Sequence, residues 1–171
     1  ADGVLVITGR QGIGKTSLFR KLALKPQFFK EGVCVDFRDK DTYIRALSCW
    51  IAEMGEIEST FRSDIERLKA FITNSVDEYR RPYGRDSIRA IRRTSLCGTC
   101  NSDEFLIDST GNRRFLTVQI DKIDLDRLRD FNAVMLWKQI EQMALNDIQG
   151  FRLTQAEQKQ LAERNANHEK K

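Results

Sequence analysis

Histidine is almost absent: the only one, His168, lies in a polar tail, and the 171 residues include just two prolines. A zinc site therefore has little to draw on. Cys97-Gly98-Thr99-Cys100 forms a CxxC pair, but a tetrahedral site needs two further ligands at comparable spacing. Cys34, Cys49, Cys97 and Cys100 all lie in or beside apolar, strand-like stretches rather than in the loops of a disulfide framework, which points to reduced thiols. No apolar run approaches the roughly 20 residues of a bilayer crossing, and no charged-then-apolar leader is visible. A soluble chain in the cytoplasm of its cell is expected. No initiator Met precedes Ala1-Asp2-Gly3, so the sequence reads as a piece of something longer. Without internal repeats or a low-complexity linker, it divides into a core over 1–150 and a closing helix with a polar tail over 151–171.

Charge is unevenly spread. The formal net charge is +4, yet between Arg80 and Arg93 six arginines (80, 81, 85, 89, 92 and 93) face one acid, Asp86, a local balance of +5. The basic character thus belongs to one segment, a candidate contact for a polyanion. Pro82-Tyr83-Gly84 marks a loop or small hairpin over about 77–93.

Hydrophobic spacing predicts an α/β chain. Val4 to Thr8 reads as a buried strand, Lys15 to Leu24 as a helix stopped by Pro26, and Gly32 to Phe37 as a second strand. A short helix follows over Asp41 to Leu47, then an apolar run, Cys49 to Ala52, ending at Glu53. The spacing predicts an amphipathic helix from Ser59 to about Thr73, strands over Thr94 to Thr99 and Arg114 to Val118, and one long helix from Leu125 to Asn146. Thr154-Gln155-Ala156-Glu157 is a capping box opening a last helix.

Between the first strand and first helix stands Gly9-Arg10-Gln11-Gly12-Ile13-Gly14-Lys15-Thr16, followed by Ser17. Phosphate recognition needs a sharply turned backbone that aims several N–H groups at one anion; glycines permit the turn, and the helix adds its positive end. In such a GxxxxGKT loop the lysine reaches the β- and γ-phosphates of ATP and the Thr16 hydroxyl coordinates Mg²⁺. A plain strand-to-helix turn explains the glycines but not Lys15-Thr16.

Hydrolysis also needs an acid at the end of another strand, to hold Mg²⁺ through water and orient the attacking water. Glu53 has that place, and Glu56, three residues on, forms one acidic patch with it. If the strand from Val33 to Phe37 inserts between the two, the sheet takes the order of the ATPase branch rather than that of simple kinases, with the strand ending at Cys100-Asn101 beside the first. Asn101 then contacts the γ-phosphate as sensor 1. Arg113 or Arg114, at the start of the fifth strand, would serve as an arginine finger toward a neighbouring subunit.

Trp50-Ile51-Ala52-Glu53-Met54-Gly55-Glu56-Ile57, Leu68-Lys69-Ala70-Phe71-Ile72, Asp77 to Arg85, Gly98-Thr99-Cys100-Asn101 and Phe105 to Phe115 resemble the virulence-associated protein E family of bacteriophages, prophages and pathogenicity islands. The resemblance runs over nearly the whole chain. It implies a P-loop NTPase with a three-layer αβα sandwich, a five-stranded, mainly parallel sheet and C-terminal helices, of the superfamily 3 helicase and AAA+ type. It further implies a homo-oligomeric ring (hexamer) and a primase module as partner. By carry-over Gly9 to Thr16 stand for Walker A, Glu53 with Glu56 for Walker B, Asn101 for sensor 1 and Arg113 or Arg114 for the finger. The two acids are separated by two residues, where most AAA+ proteins have them adjacent. The 77–93 segment falls where such ATPases place a DNA-gripping hairpin. Arg80, Arg81, Arg85 and Arg89 suit phosphate, and Tyr83 offers a face for an unpaired base of single-stranded DNA.

These readings converge on an ATP-hydrolysing DNA helicase or translocase for a mobile element in a bacterial host. A small-molecule P-loop kinase and an ATP-gated initiator without rapid turnover are the alternatives.

Overall fold

A computed structural model describes residues 3–33, 40–55, 57–80, 85–101, 112–147, 150 and 152–168. Its central sheet is built from β1 (Val4–Thr8), β2 (Phe29–Lys30), β3 (Ile51–Met54), β6 (Ser95–Cys100) and β7 (Phe115–Gln119), in the order β2-β3-β6-β1-β7. Every pairing in it is parallel. β4 (Val76–Arg80) and β5 (Ser87–Ile91) form a separate antiparallel hairpin. The helices are α1 (Lys15–Leu22), α2 (Lys40–Ala46), α3 (Ile57–Thr73), α4 (Leu125–Asp130), α5 (Ala133–Asn146) and α6 (Gln155–Ala166).

Side chains alternate across a strand, so each strand feeds two cores. Val4, Val6, Ala52, Met54, Leu96 and Phe115 join Leu68, Phe71 and Ile72 of α3 on one face. Ile7, Ile51 and Cys97 join Phe19 and Ala23 of the α1 segment on the other, where Trp50 and Trp137 also pack. The result is an α/β layering with helices on both faces. The two indoles lie 4.7 Å apart, and Trp137 Nε1 donates to the Leu22 carbonyl at the end of α1 at 2.7 Å. Cys97 and Cys100 fall in opposite cores because three residues along a strand reverse the face. They cannot share a metal or a disulfide. Burial pushes the Cys97 thiol strongly up, with the charge of Glu53 adding to it.

Five expectations change. The second strand is Phe29–Lys30, earlier than Gly32 to Phe37, and among the described residues it pairs only with β3, at the sheet's edge. Residues 34–37 lie outside the described residues. The strand inserted between β1 and β3 is β6 instead. The long helix from Leu125 to Asn146 is two, because Phe131 turns to an extended conformation and Asn132 caps α5 by accepting from the Met135 N–H. An asparagine favours a cap over a helix interior. Glu53 lies within β3 rather than after it, and Arg114 belongs to a 3₁₀ turn, Asn112–Arg114, that precedes β7. The capping box at Thr154 and Glu157 is present.

α6 is fastened to the sheet by Asn165, which is fully buried. Its amide nitrogen donates to the carbonyls of Asn112 (2.7 Å) and Phe115 (3.0 Å), and its oxygen accepts from the Thr117 hydroxyl at 2.7 Å. Asn165→Leu removes all three of these hydrogen bonds and is expected to destabilise the fold by about 2–4 kcal/mol, read from urea denaturation midpoints. Among the described residues no helix is long and apolar enough to cross a membrane.

Candidate functional site

β1 ends at Thr8 and the chain turns at once, because Gly9 takes φ 147° where a Cβ would sit 2.2 Å from the Ile120 carbonyl oxygen. Only glycine fits there. Gly14, at φ 96°, is the N-cap of α1, and a Cβ on it would come within 2.6 Å of Leu125. With neither a capping side chain nor an acid in the first turn, the positive end of α1 is left for an external anion. Arg10, Gln11 and Gly12 are exposed along the crest, and Ile13 is half-buried.

Lys15 folds back under this loop. The residue is 6% exposed, and its ammonium donates to the carbonyls of Gly9 (2.6 Å) and Arg10 (2.8 Å) and to Asn101 Oδ1 (3.0 Å). Burial lowers its pKa, while the nearby Cys100 and Glu53 act against that shift. Glu53 is 2% exposed, and one oxygen, Oε1, accepts from both the Thr16 hydroxyl (2.7 Å) and the Thr99 hydroxyl (2.9 Å). A hydroxyl and a carboxylate in contact are hard oxygen donors, the set that a hydrated Mg²⁺ takes alongside phosphate. Among the described residues no group of three or more His, Cys, Asp or Glu converges, so no all-protein metal cage is found there. The residues fit Mg²⁺ arriving with a polyphosphate.

A cleft of about 490 Å³ gathers Gln11, Gly12, Gly14, Lys15, Thr16 and Ser17 opposite Glu53, Thr99 and Asn101. All sit at the carboxyl ends of β1, β3 and β6, where ligands of open parallel sheets collect. Arg113 and Arg114 are not brought here. They precede Phe115, which is in register with Val4, so they lie at the opposite end of the sheet. Arg113 is exposed, and Arg114 Nε is buried with no partner among the described residues. Glu56 lies outside the described residues.

The arginine-rich segment is the β4–β5 hairpin. Cross-strand register puts Glu78 opposite Arg89 and Arg80 opposite Ser87, so Arg80 and Arg89 share a face; these two and Arg85 are exposed. Arg81 and Tyr83 lie outside the described residues. Arg92 leaves the basic cluster. Its side chain, 3% exposed, pairs with Asp77, donates to the Phe71 carbonyl and lies over the Phe71 ring. Tyr43 also donates to Asp77, at 3.1 Å. Counting charge along a sequence cannot separate such an anchor from its solvated neighbours.

The profile of the virulence-associated protein E-like domain matches residues 1–170. The chain belongs to this family. No curated protein matches it. Two apo structures of the NrS-1 C-terminal region, residues 305–718, each align over 98% of the chain with a TM-score of 0.53, at 14% and 13% identity. The chain spans about a third of their length, 34% and 36%. That likeness is one of fold. In this virulence-associated protein E-like domain, Thr99 is the site residue that motif reading passed over. Its signal was the alternation of β6, which turns residue 99 to the same face as Cys97 and so toward α1.

Proposed function

We propose that this domain binds a Mg–nucleoside triphosphate, hydrolyses it and uses the energy to move along DNA. The convergence of Lys15, Thr16, Glu53 and Asn101 around one glycine loop carries the reading. Insertion of β6 between β1 and β3 supports the ATPase branch of P-loop NTPases over simple kinases. Lys15 exchanges its bonds to the loop carbonyls for the β- and γ-phosphate oxygens, a swap favoured because an anion relieves a buried ammonium. Thr16 and Glu53 hold Mg²⁺, which supplies charge neutralisation of the phosphates when bound. Glu53 orients the attacking water, and Asn101, already bonded to Lys15, is within reach of the γ-phosphate. Arg113 or Arg114, at the far end of the sheet, serves the nucleotide of an adjacent protomer in a ring.

Family membership supports a place in replication of a phage or other mobile element, beside a primase module. The β4–β5 hairpin is the proposed DNA contact. Phosphate release by the purified chain, measured with and without single-stranded DNA, tests the reading. Stimulation by DNA is expected; a kinase would be indifferent, and no turnover in either condition would leave only an ATP-gated assembly module. Arg80→Ala and Arg89→Ala should each weaken single-stranded DNA binding and flatten the slope of log affinity against log salt by about 0.7.

A further inference from the structure

Beside the phosphate cleft runs a second groove, about 430 Å³, between the outer face of α1 and α4. Ser17 lines both. Leu125, the first residue of α4, abuts Gly14 of the loop, so the groove opens directly off the proposed phosphate cradle. Its walls are Leu24, Pro26, Leu125 and Leu128. Leu24 is 41% exposed and sits at φ 67°, a left-handed conformation that glycine adopts freely and leucine does not. At the end of α1 this half-exposed leucine leaves an apolar side chain open to the groove.

The cations along the groove have partners. Arg20 pairs with Glu31, Arg129 with Asp126, Lys21 donates to the Arg129 carbonyl, and Lys25 lies over the Phe28 ring. They give the rim a positive field, and with the Ser17 hydroxyl they are the polar groups among its described lining. No amide or carboxylate side chain is among the described residues that line it.

Resting on the nucleotide reading above, we infer that this groove seats the nucleobase and accepts purines and pyrimidines alike. Apolar walls grip any base through its faces, and rejecting the wrong base strongly requires polar side chains matched to its edge. The substrate class is therefore nucleoside triphosphates in general, not ATP alone.

Calorimetric titration of the purified chain with the Mg²⁺ salts of ATP, GTP, CTP, UTP and tripolyphosphate tests this. The four nucleotides should bind within about tenfold of one another, and each at least about tenfold tighter than tripolyphosphate. Leu24→Gly should melt at the same or a higher temperature, because it relieves the left-handed leucine, yet weaken all four nucleotides about fivefold and leave tripolyphosphate unchanged. Leu24→Ala should weaken the nucleotides similarly. A preference above about a hundredfold for one base overturns the inference, as does tripolyphosphate binding as tightly as the nucleotides or unaltered nucleotide affinity in both variants. If none of the five ligands binds, the phosphate site itself fails and the inference falls with it.

Discussion

Glu53→Gln is expected to keep nucleotide affinity within about threefold while slowing phosphate release by about 10²- to 10³-fold. Glutamine preserves the shape and an acceptor oxygen for the Thr16 and Thr99 hydroxyls, so the pocket stays assembled. What disappears is the negative charge that, in the proposed mechanism, would orient water and balance Mg²⁺. Lys15→Ala should act differently, removing affinity first, because the ammonium lies under the loop and also touches Asn101. Equilibrium titration with a fluorescent nucleotide, run beside single-turnover phosphate release, separates the two effects. Equal loss of binding in both variants would remove Glu53 from the catalytic step.

Asp77→Ala should cost about 3–5 kcal/mol of stability, the toll of leaving a buried arginine unpaired. Asp77 and Arg92 are 5% and 3% exposed, and both the Tyr43 hydroxyl and the Phe71 carbonyl share the cluster. The pair ties the base of the hairpin to α2 and α3. Burial, with the adjacent Asp77 charge, also holds the Tyr43 hydroxyl above its usual pKa of 10.0. Urea denaturation checks the size of the effect. A loss below about 1 kcal/mol would mean that the pair behaves as a solvated surface contact. Because Arg92 serves as a mount and Arg80 and Arg89 face solvent, Arg92→Ala should reduce DNA affinity through lost order in the hairpin. Arg89→Ala should reduce it without change in stability.

The glycine loop was readable because it carries rare residues at fixed spacing: a glycine where a Cβ meets the Ile120 carbonyl, and a lysine followed by a threonine. Parallel pairing was implied by the family resemblance, whereas four strands of the sheet, β1, β3, β6 and β7, were readable from their apolar runs. Neighbour order was not, since β6 enters between β1 and β3 from more than forty residues downstream, and nothing local in Ser95 to Cys100 announces which strands it will join. The break at Phe131-Asn132 was masked by an apolar period that continues through it. Leu24 carries no local sign of its left-handed backbone, and Arg92 looks like any other arginine until Asp77 is seen beside it.

The chain's two tryptophans lie in a single tilted stack, one at the foot of β3 and the other on α5, with an indole nitrogen tied to the end of α1. Intrinsic emission therefore has one address in the molecule. A spectral change on adding a ligand reads the seating of α5 against α1, and it gives an optical signal for that contact without any attached dye.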